Sequence, residues 1–329
     1  MKVSTTLFLV LLLTGLGVYS LVSEKSLKAG SAELNPIKIL TLAEGDFLTR
    51  LVIENGVAKE TVALKREEKG WMLKTPVSYP AENFLVEGML SALTFSRRLR
   101  RFPGEEKEWQ PFGLERPPIR IGIETEKTPG PRYLLLGKES PVGAAVYARW
   151  EGEKEYFLIA PEIKAAFERT AYSLRQKKLF RSEWDRLKGV DVKVDGKEFH
   201  LEKKEIPVEK VSDLIDSLES LYIKEFLDGR DSRAPEFGFQ ARNSFIVVRA
   251  ETGTEERVLI GAAAEGKDAC YAVREKEKIV FLISERNLKS FLENFELLFQ
   301  ELRNVDPRKS REASGKNPKG SREGGPESG

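Results

Sequence analysis

The sequence predicts an α+β chain built as a tandem duplication of one module of about 125 residues, each copy an antiparallel sheet with two helices. The first observation is an internal repeat. Phe112-Gly113-Leu114 returns as Phe237-Gly238-Phe239, 125 residues on. Leu135-Leu136-Gly137 returns as Leu259-Ile260-Gly261, Tyr147-Ala148 as Tyr271-Ala272, and Phe157-Leu158-Ile159 as Phe281-Leu282-Ile283, each at an offset of 124. Upstream, Val86-Glu87-Gly88-Met89-Leu90 aligns with Val211-Ser212-Asp213-Leu214-Ile215 at 125. A nearly constant offset with one single-residue slip marks a duplicated unit. The second observation is that each copy strings together short alternating runs separated by turn residues. The third is that apolar positions at 3.6-residue spacing occur apart from those runs. Strands in succession, with helices set apart, indicate an antiparallel sheet and not a doubly wound parallel one.

Each copy opens on strand material, residues 50–53 and 61–65 in the first and 190–194 and 198–202 in the second. A helix follows. In copy one its apolar positions are Phe84, Leu85, Met89, Leu90 and Leu93, just after Pro80. In copy two they are Val208, Val211, Leu214, Ile215, Leu218 and Leu221. The Phe-Gly loop comes next, its glycine read as supplying a positive φ or a close backbone approach. Four strands then run through residues 119–123, 133–136, 144–150 and 155–159. Their counterparts are residues 245–250, 257–260, 270–274 and 278–283. Thr128-Pro129-Gly130-Pro131 and Glu251-Thr252-Gly253-Thr254 supply turns between them. A closing helix completes each copy. The second starts at Ser284 as N-cap, with Leu288, Phe291, Leu292, Phe295, Leu298, Phe299 and Leu302 on one side. That stripe reads as core ahead of a partner-docking face.

The expected organisation is an N-terminal transmembrane anchor or signal segment (1–23), a linker and first strand region (24–48), module one (49–182), module two (183–303) and a disordered tail (304–329). Residues 3–23 are uncharged, bounded by Lys2 and Glu24, which fits one membrane pass. The rival reading is a cleaved secretory signal ending near Val18-Tyr19-Ser20. Both place the bulk of the chain outside the cytoplasm, in the periplasm or its equivalent. Flanking Lys2, Lys25 and Lys28 leave the orientation nearly balanced. The tail is dominated by Gly, Pro, Ser and charged residues and holds too little apolar surface to offset the entropy of ordering.

Composition excludes a good deal of chemistry. The 329 residues carry 54 Lys+Arg against 52 Asp+Glu, a net charge of +2, which argues against a nucleic-acid binder. Cys270 is the one cysteine, so there is no internal disulfide or Cys-rich metal site. His200 is the one histidine, which excludes multi-His zinc sites. His200, in Phe199-His200-Leu201, reads as a surface imidazole on the polar side of a strand. Gly137-Lys138-Glu139-Ser140 lacks the upstream glycine and following Ser/Thr of a phosphate loop, and reads as a hairpin turn. Arg97-Arg98-Leu99-Arg100-Arg101 is the densest basic cluster. Arg97, Arg98, Arg100 and Arg101 read first as a solvated helix end. Their functional alternative is contact with anionic lipid or an acidic partner. Cys270 reads as a small buried hydrophobe. No catalytic, cofactor or metal site is expected, and the chain is read as not an enzyme.

Trp71-Met72-Leu73 with Pro76, Phe112-Gly113-Leu114 with Pro117, Gly137 with Pro141, Gly143 and Tyr147-Ala148, then Leu174-Arg175, form a series of short motifs in a set order. In these residues the chain resembles the family called domain of unknown function 4340. The likeness spans roughly residues 48–299. Copy two lacks the tryptophan and the prolines but keeps Phe237-Gly238, Gly261 and Tyr271-Ala272. The resemblance implies an N-terminal membrane segment, an extracytoplasmic domain, and an auxiliary role beside gliding-motility-type ABC transporters, with permease or ATPase subunits as partners. It supplies no catalytic residues. The expected function is therefore a membrane-anchored accessory module. The alternative is a glycan- or lipid-binding protein using a cleft between the repeats, with Trp71, Trp109 and Trp150 as ligand contacts.

Overall fold

The computed structural model describes residues 37–104, 109–141, 143–182, 184–277 and 279–305. The anchor or signal expected at 1–23 and nearly all of the tail expected at 304–329 lie outside these residues. The chain divides into two compact units, with the division between Gln176 and Lys177. Each unit is α+β with one antiparallel sheet, as the repeat implied.

Unit 1 contains β1 (Leu48–Asn55), β2 (Glu60–Glu67), β3 (Gly70–Thr75), β4 (Tyr79–Pro80), helix α1 (Asn83–Phe95), β5 (Arg100–Phe102), β6 (Ile119–Thr125), β7 (Arg132–Glu139), β8 (Val146–Trp150), β9 (Tyr156–Ile159), α2 (Pro161–Phe167) and α3 (Ala171–Leu174). Unit 2 contains β10 (Leu187–Val194), β11 (Lys197–Glu202), α4 (Val208–Glu219), β12 (Ile223–Leu227), α5 (Phe239–Arg242), β13 (Ser244–Ala250), β14 (Glu255–Ala263), β15 (Cys270–Arg274), β16 (Val280–Ile283) and α6 (Glu285–Val305). Among the described residues, the first sheet runs β4-β3-β2-β1-β6-β7-β8-β9-β5 and the second β11-β10-β13-β14-β15-β16-β12. Seven strands thus stand in the same order twice. The register agrees as well. Leu136 faces Ala148 where Ile260 faces Ala272, and Tyr147 faces Leu158 where Tyr271 faces Leu282. Both copies also shift register at the start of the first strand, between Leu48 and Arg50 and between Leu187 and Gly189. A bulge kept in both copies is a feature of the fold and not a defect.

The strands form because their apolar residues alternate. Leu51 and Ile53 of β1, Ile119, Ile121 and Ile123 of β6, and Val190 and Val192 of β10 all point into their cores. Helix α1 lays Val86, Met89, Leu90 and Leu93 on the first sheet, and α4 lays Leu214 and Leu218 on the second. Phe84 and Val208, expected on these inner stripes, are instead among the most exposed apolar residues. Each sits at the start of its helix, off the line that Met89–Leu93 and Leu214–Leu218 define.

Three further departures concern local structure. Strands β3 and β4 were not expected. They fill the interval between Glu67 and Asn83, which unit 2 crosses in one short turn at Lys203–Glu205. Trp71 locks this addition to α1: its backbone N–H donates to Asn83 Oδ1 at 2.7 Å and its indole N–H to Glu87 Oε1 at 2.8 Å. The closing helix of unit 1 is broken into α2 and α3, whereas α6 runs unbroken for 21 residues. Ser284 does cap α6, its hydroxyl accepting from the Asn287 N–H at 3.3 Å. Phe291 and Phe295 of α6 are buried, as a core stripe requires.

Candidate functional site

The repeated motif forms a joint in each unit. The Phe112-Gly113 loop rests on the far end of β7, where the Lys138 N–H donates to the Phe112 carbonyl at 2.8 Å. A Cβ on Gly137 would run into that same carbonyl. Gly113 has φ +71°, open to glycine at no steric cost. The Phe112 ring lies 4.4 Å from Tyr147 and 4.9 Å from Tyr156. Unit 2 repeats the left-handed glycine, the close approach and the first aromatic contact. Gly238 has φ +69°, a Cβ on Gly261 would strike the Phe237 carbonyl, and Phe237 meets Tyr271 at 4.9 Å edge-on. The Phe-Gly, Gly137/Gly261 and Tyr147/Tyr271 parts of the repeat thus meet in this one piece of packing, while its Val86–Leu90 and Phe157–Ile159 segments serve the main core. Gly137-Lys138 is not the hairpin turn expected from its sequence. It lies within β7, because the missing side chain of Gly137 makes room for a docked loop.

The arginine cluster is likewise not a helix end. Helix α1 stops at Phe95, and the chain straightens into β5, an edge strand paired with β9. Unit 2 places β12 at the same edge, against β16. Charged residues on an edge discourage pairing with a foreign strand. The four arginines part company there. Arg98 turns inward, donating to Glu155 at 2.8 Å and stacking 4.3 Å over Phe157. Arg101 shares Glu155 at 3.4 Å and stays half-exposed. Arg97 and Arg100 are exposed, Arg100 lying over Phe102 at 5.0 Å. Ile37 and Lys38, the first described residues, join this surface: Lys38 bridges Arg97, and its ammonium sits 5.8 Å over the Phe95 ring. Ile37, Phe95 and Leu99 are exposed beside these cations. The arrangement is a basic surface studded with apolar side chains.

His200 lies exposed on β11, as expected. It belongs to a quartet that the sequence did not disclose, because the members sit on three strands. His200 Nδ1 is 2.5 Å from Asp191 Oδ1. Arg249 donates to Glu202 at 2.6 Å and to Asp191 at 3.0 Å. The Arg249 hydrogen bond holds the Glu202 carboxyl below the usual range, against the opposing effect of its partial burial. The carboxylates that could poise His200 are thus already shared with a guanidinium. Among the described residues no group of three or more His, Cys, Asp or Glu could hold a metal ion. Burial pushes the Cys270 thiol up to about 12, so it is a buried hydrophobe. Arg274, which nothing in the sequence singled out, is buried and holds the carbonyls of Leu179 and Lys178 while pairing with Glu277. Trp71 and Trp150 are core residues, and Arg149 stacks 3.5 Å over Trp109. The three tryptophans proposed as ligand contacts are therefore engaged in packing. A groove of about 440 Å³ lies between α4 and α6, floored by Leu214, Phe291 and Phe295 and spanned by the Lys210–Glu301 ion pair. Among the described residues, no helix is long and apolar enough to cross a membrane.

The profile of the family described as Domain of unknown function (DUF4340) matches residues 71–209 and again 206–321. The chain belongs to this family. The first family segment starts at β3 and ends beyond β11, so it takes in two strands of unit 2. The second starts just ahead of α4. Family segment and structural unit are thus offset by two strands within the DUF4340 chain. No curated protein and no solved structure matches the chain.

Proposed function

We propose that the chain is a membrane-anchored, extracytoplasmic accessory module of an ABC-type transport system, acting by protein contact and without catalysis. One observation carries the reading. The uncharged run at 3–23 is separated by residues 24–36 alone from the surface formed by Ile37, Lys38, Arg97, Leu99 and Arg100. Cations near an anionic membrane surface each gain about 1 kcal/mol, and apolar side chains beside them seat at the headgroup boundary. A surface of this kind beside the anchor suits a domain held close to the bilayer. The family motif supports a binding role, since Phe112, Gly113, Gly137 and Tyr147 build a packing joint and not a reaction centre. The transporter as partner rests on the family resemblance.

The test is crosslinking in native membranes, followed by gentle purification through a C-terminal tag and mass spectrometry. Permease or ATPase subunits recovered in near-stoichiometric amount are the expected result. Recovery of this protein alone, still in the membrane fraction, would overturn the transporter assignment. Recovery in the soluble fraction would overturn the anchor.

A further inference from the structure

We infer that two copies of this chain pair through the outer face of α1, with the two helices antiparallel about a two-fold axis. Phe84 is 84 % exposed and Phe95 is 74 % exposed. Between them, on the same face, lie Gly88 and Ser91, also exposed. The spacing 84–88–91–95 is four, three and four residues, which sets all four side chains in one line along the helix.

The duplicate helix shows that the fold does not require this line. At the matching places α4 carries Glu209, Asp213, Asp216 and Ser220. The match is secure because Met89 and Leu93 are buried where Leu214 and Leu218 are buried. One copy of the module thus gives water a polar helix face and the other gives it two phenylalanines. Gly88 sharpens the contrast. Glycine weakens a helix interior, and a Cβ here would meet nothing within 4 Å. Nothing among the described residues explains the missing side chain. Small residues at such a position let a second helix backbone approach closely.

The occupant follows from symmetry and charge. The line reads Phe, small, small, Phe from either end, with the same spacing in both directions. An antiparallel two-fold therefore sets Phe84 against the second copy's Phe95 and Gly88 against its Ser91, as an isologous contact requires. The helix is preceded by an acid, Glu82, and followed by bases, Arg97 and Lys38, while Glu87 is already paired with Arg66. Reversing the second helix brings unlike ends together, and a parallel pair would oppose like charges. The four line residues are themselves uncharged, so the line itself carries no charge into the contact.

The test uses the full chain in membranes or mild detergent. Two differently tagged variants, Phe84→Cys and Phe95→Cys, are prepared alone and mixed, then treated with a short thiol crosslinker. Native Cys270 is buried and stays silent. Efficient crosslinking in the mixture, with little for either variant alone, is the expected result. In the antiparallel pair each position is separated from its own mate by about eleven residues of rise, roughly 17 Å. Equal crosslinking of single variants, or none in any sample, would overturn the proposal. A second variant, Phe84→Glu, should raise the dimer dissociation constant by about tenfold or more, as for a large aromatic anchor replaced by a charge. An unchanged sedimentation profile, whether dimeric or monomeric in both proteins, would overturn it too.

Discussion

The two units solve one problem differently. Both hold seven antiparallel strands in one order, and both seat a Phe-Gly loop on a glycine of the fourth strand in that order. Unit 1 then extends its sheet by β3 and β4 and closes with the broken pair α2 and α3. Unit 2 adds no strands and closes with the 21-residue α6, whose Phe295 and Phe299 rings meet Phe199 of β11. The sheet and the joint are common to both. The cover over the sheet end, and the outer helix face, differ. What is common is the duplicated module's fold, and what differs is where a particular role is to be sought.

The comparison breaks most sharply at α6. Phe295→Ala should cost about 3–5 kcal/mol, as for a large aromatic removed from a core. Thermal or denaturant unfolding followed through Trp184, in unit 2, would measure it. A cost below 1 kcal/mol would show that α6 is a bystander and that β11 needs no cover. Next comes the joint. Gly137→Ala and Gly261→Ala should each destabilise by about 1–3 kcal/mol, because a methyl group must displace a backbone carbonyl. Unequal effects, with one near zero, would show that the two joints are not equivalent.

The third prediction concerns a feature of unit 2. Arg249→Gln should cost about 1.5–3 kcal/mol, the worth of hydrogen bonds between charged groups. It should also flatten the acid limb of stability against pH. Glu202 is held below its ordinary value of 4.5, so its contribution is complete above that pH and is lost as pH falls further. Stability measured between pH 3 and 6 should therefore fall less steeply in the variant. The smallest effect has the opposite sign. Gly88→Ala should stabilise the single chain by about 0.5–1 kcal/mol through helix propensity. It should also weaken pairing between copies. A change that raises the unfolding midpoint yet shifts sedimentation toward monomer would separate the two roles of α1.

Much of the fold was legible because it is written twice. The offsets near 125 located the joint residues, the four strands after it and the helix before it. Period-2 alternation and the Ser284 cap did the rest. The failures have physical causes. Trp71-Met72-Leu73 makes a strand too short for a clear alternation, and only its docking on Asn83 and Glu87 fixes it. Gly137-Lys138 looks like a turn because glycine usually marks one; here glycine marks a close approach of backbone, which needs knowledge of the loop that arrives from Phe112. The arginine run suggested a helix end because α1 precedes it, but β9 recruits it as an edge. Arg97, Arg98, Arg100 and Arg101 were one cluster in the sequence and are three environments in the structure. The Asp191, His200, Glu202 and Arg249 quartet spans three strands, so no local spacing announces it. Phe84 was assigned to the core by hydrophobicity alone. Its true place on the outer face became visible only when the helix could be turned against Met89 and Leu93.

The most direct test of the shared joint is hydrogen exchange, read by mass spectrometry, on Gly137→Ala and Gly261→Ala. In each variant the expected result is faster exchange in the Phe-Gly loop and the strand beneath it, with the first strand pairs of that unit still protected. Unchanged exchange at residues 110–114 and 137–139 in the first variant, or at 235–239 and 261–263 in the second, would contradict the claim that these motif residues specify packing.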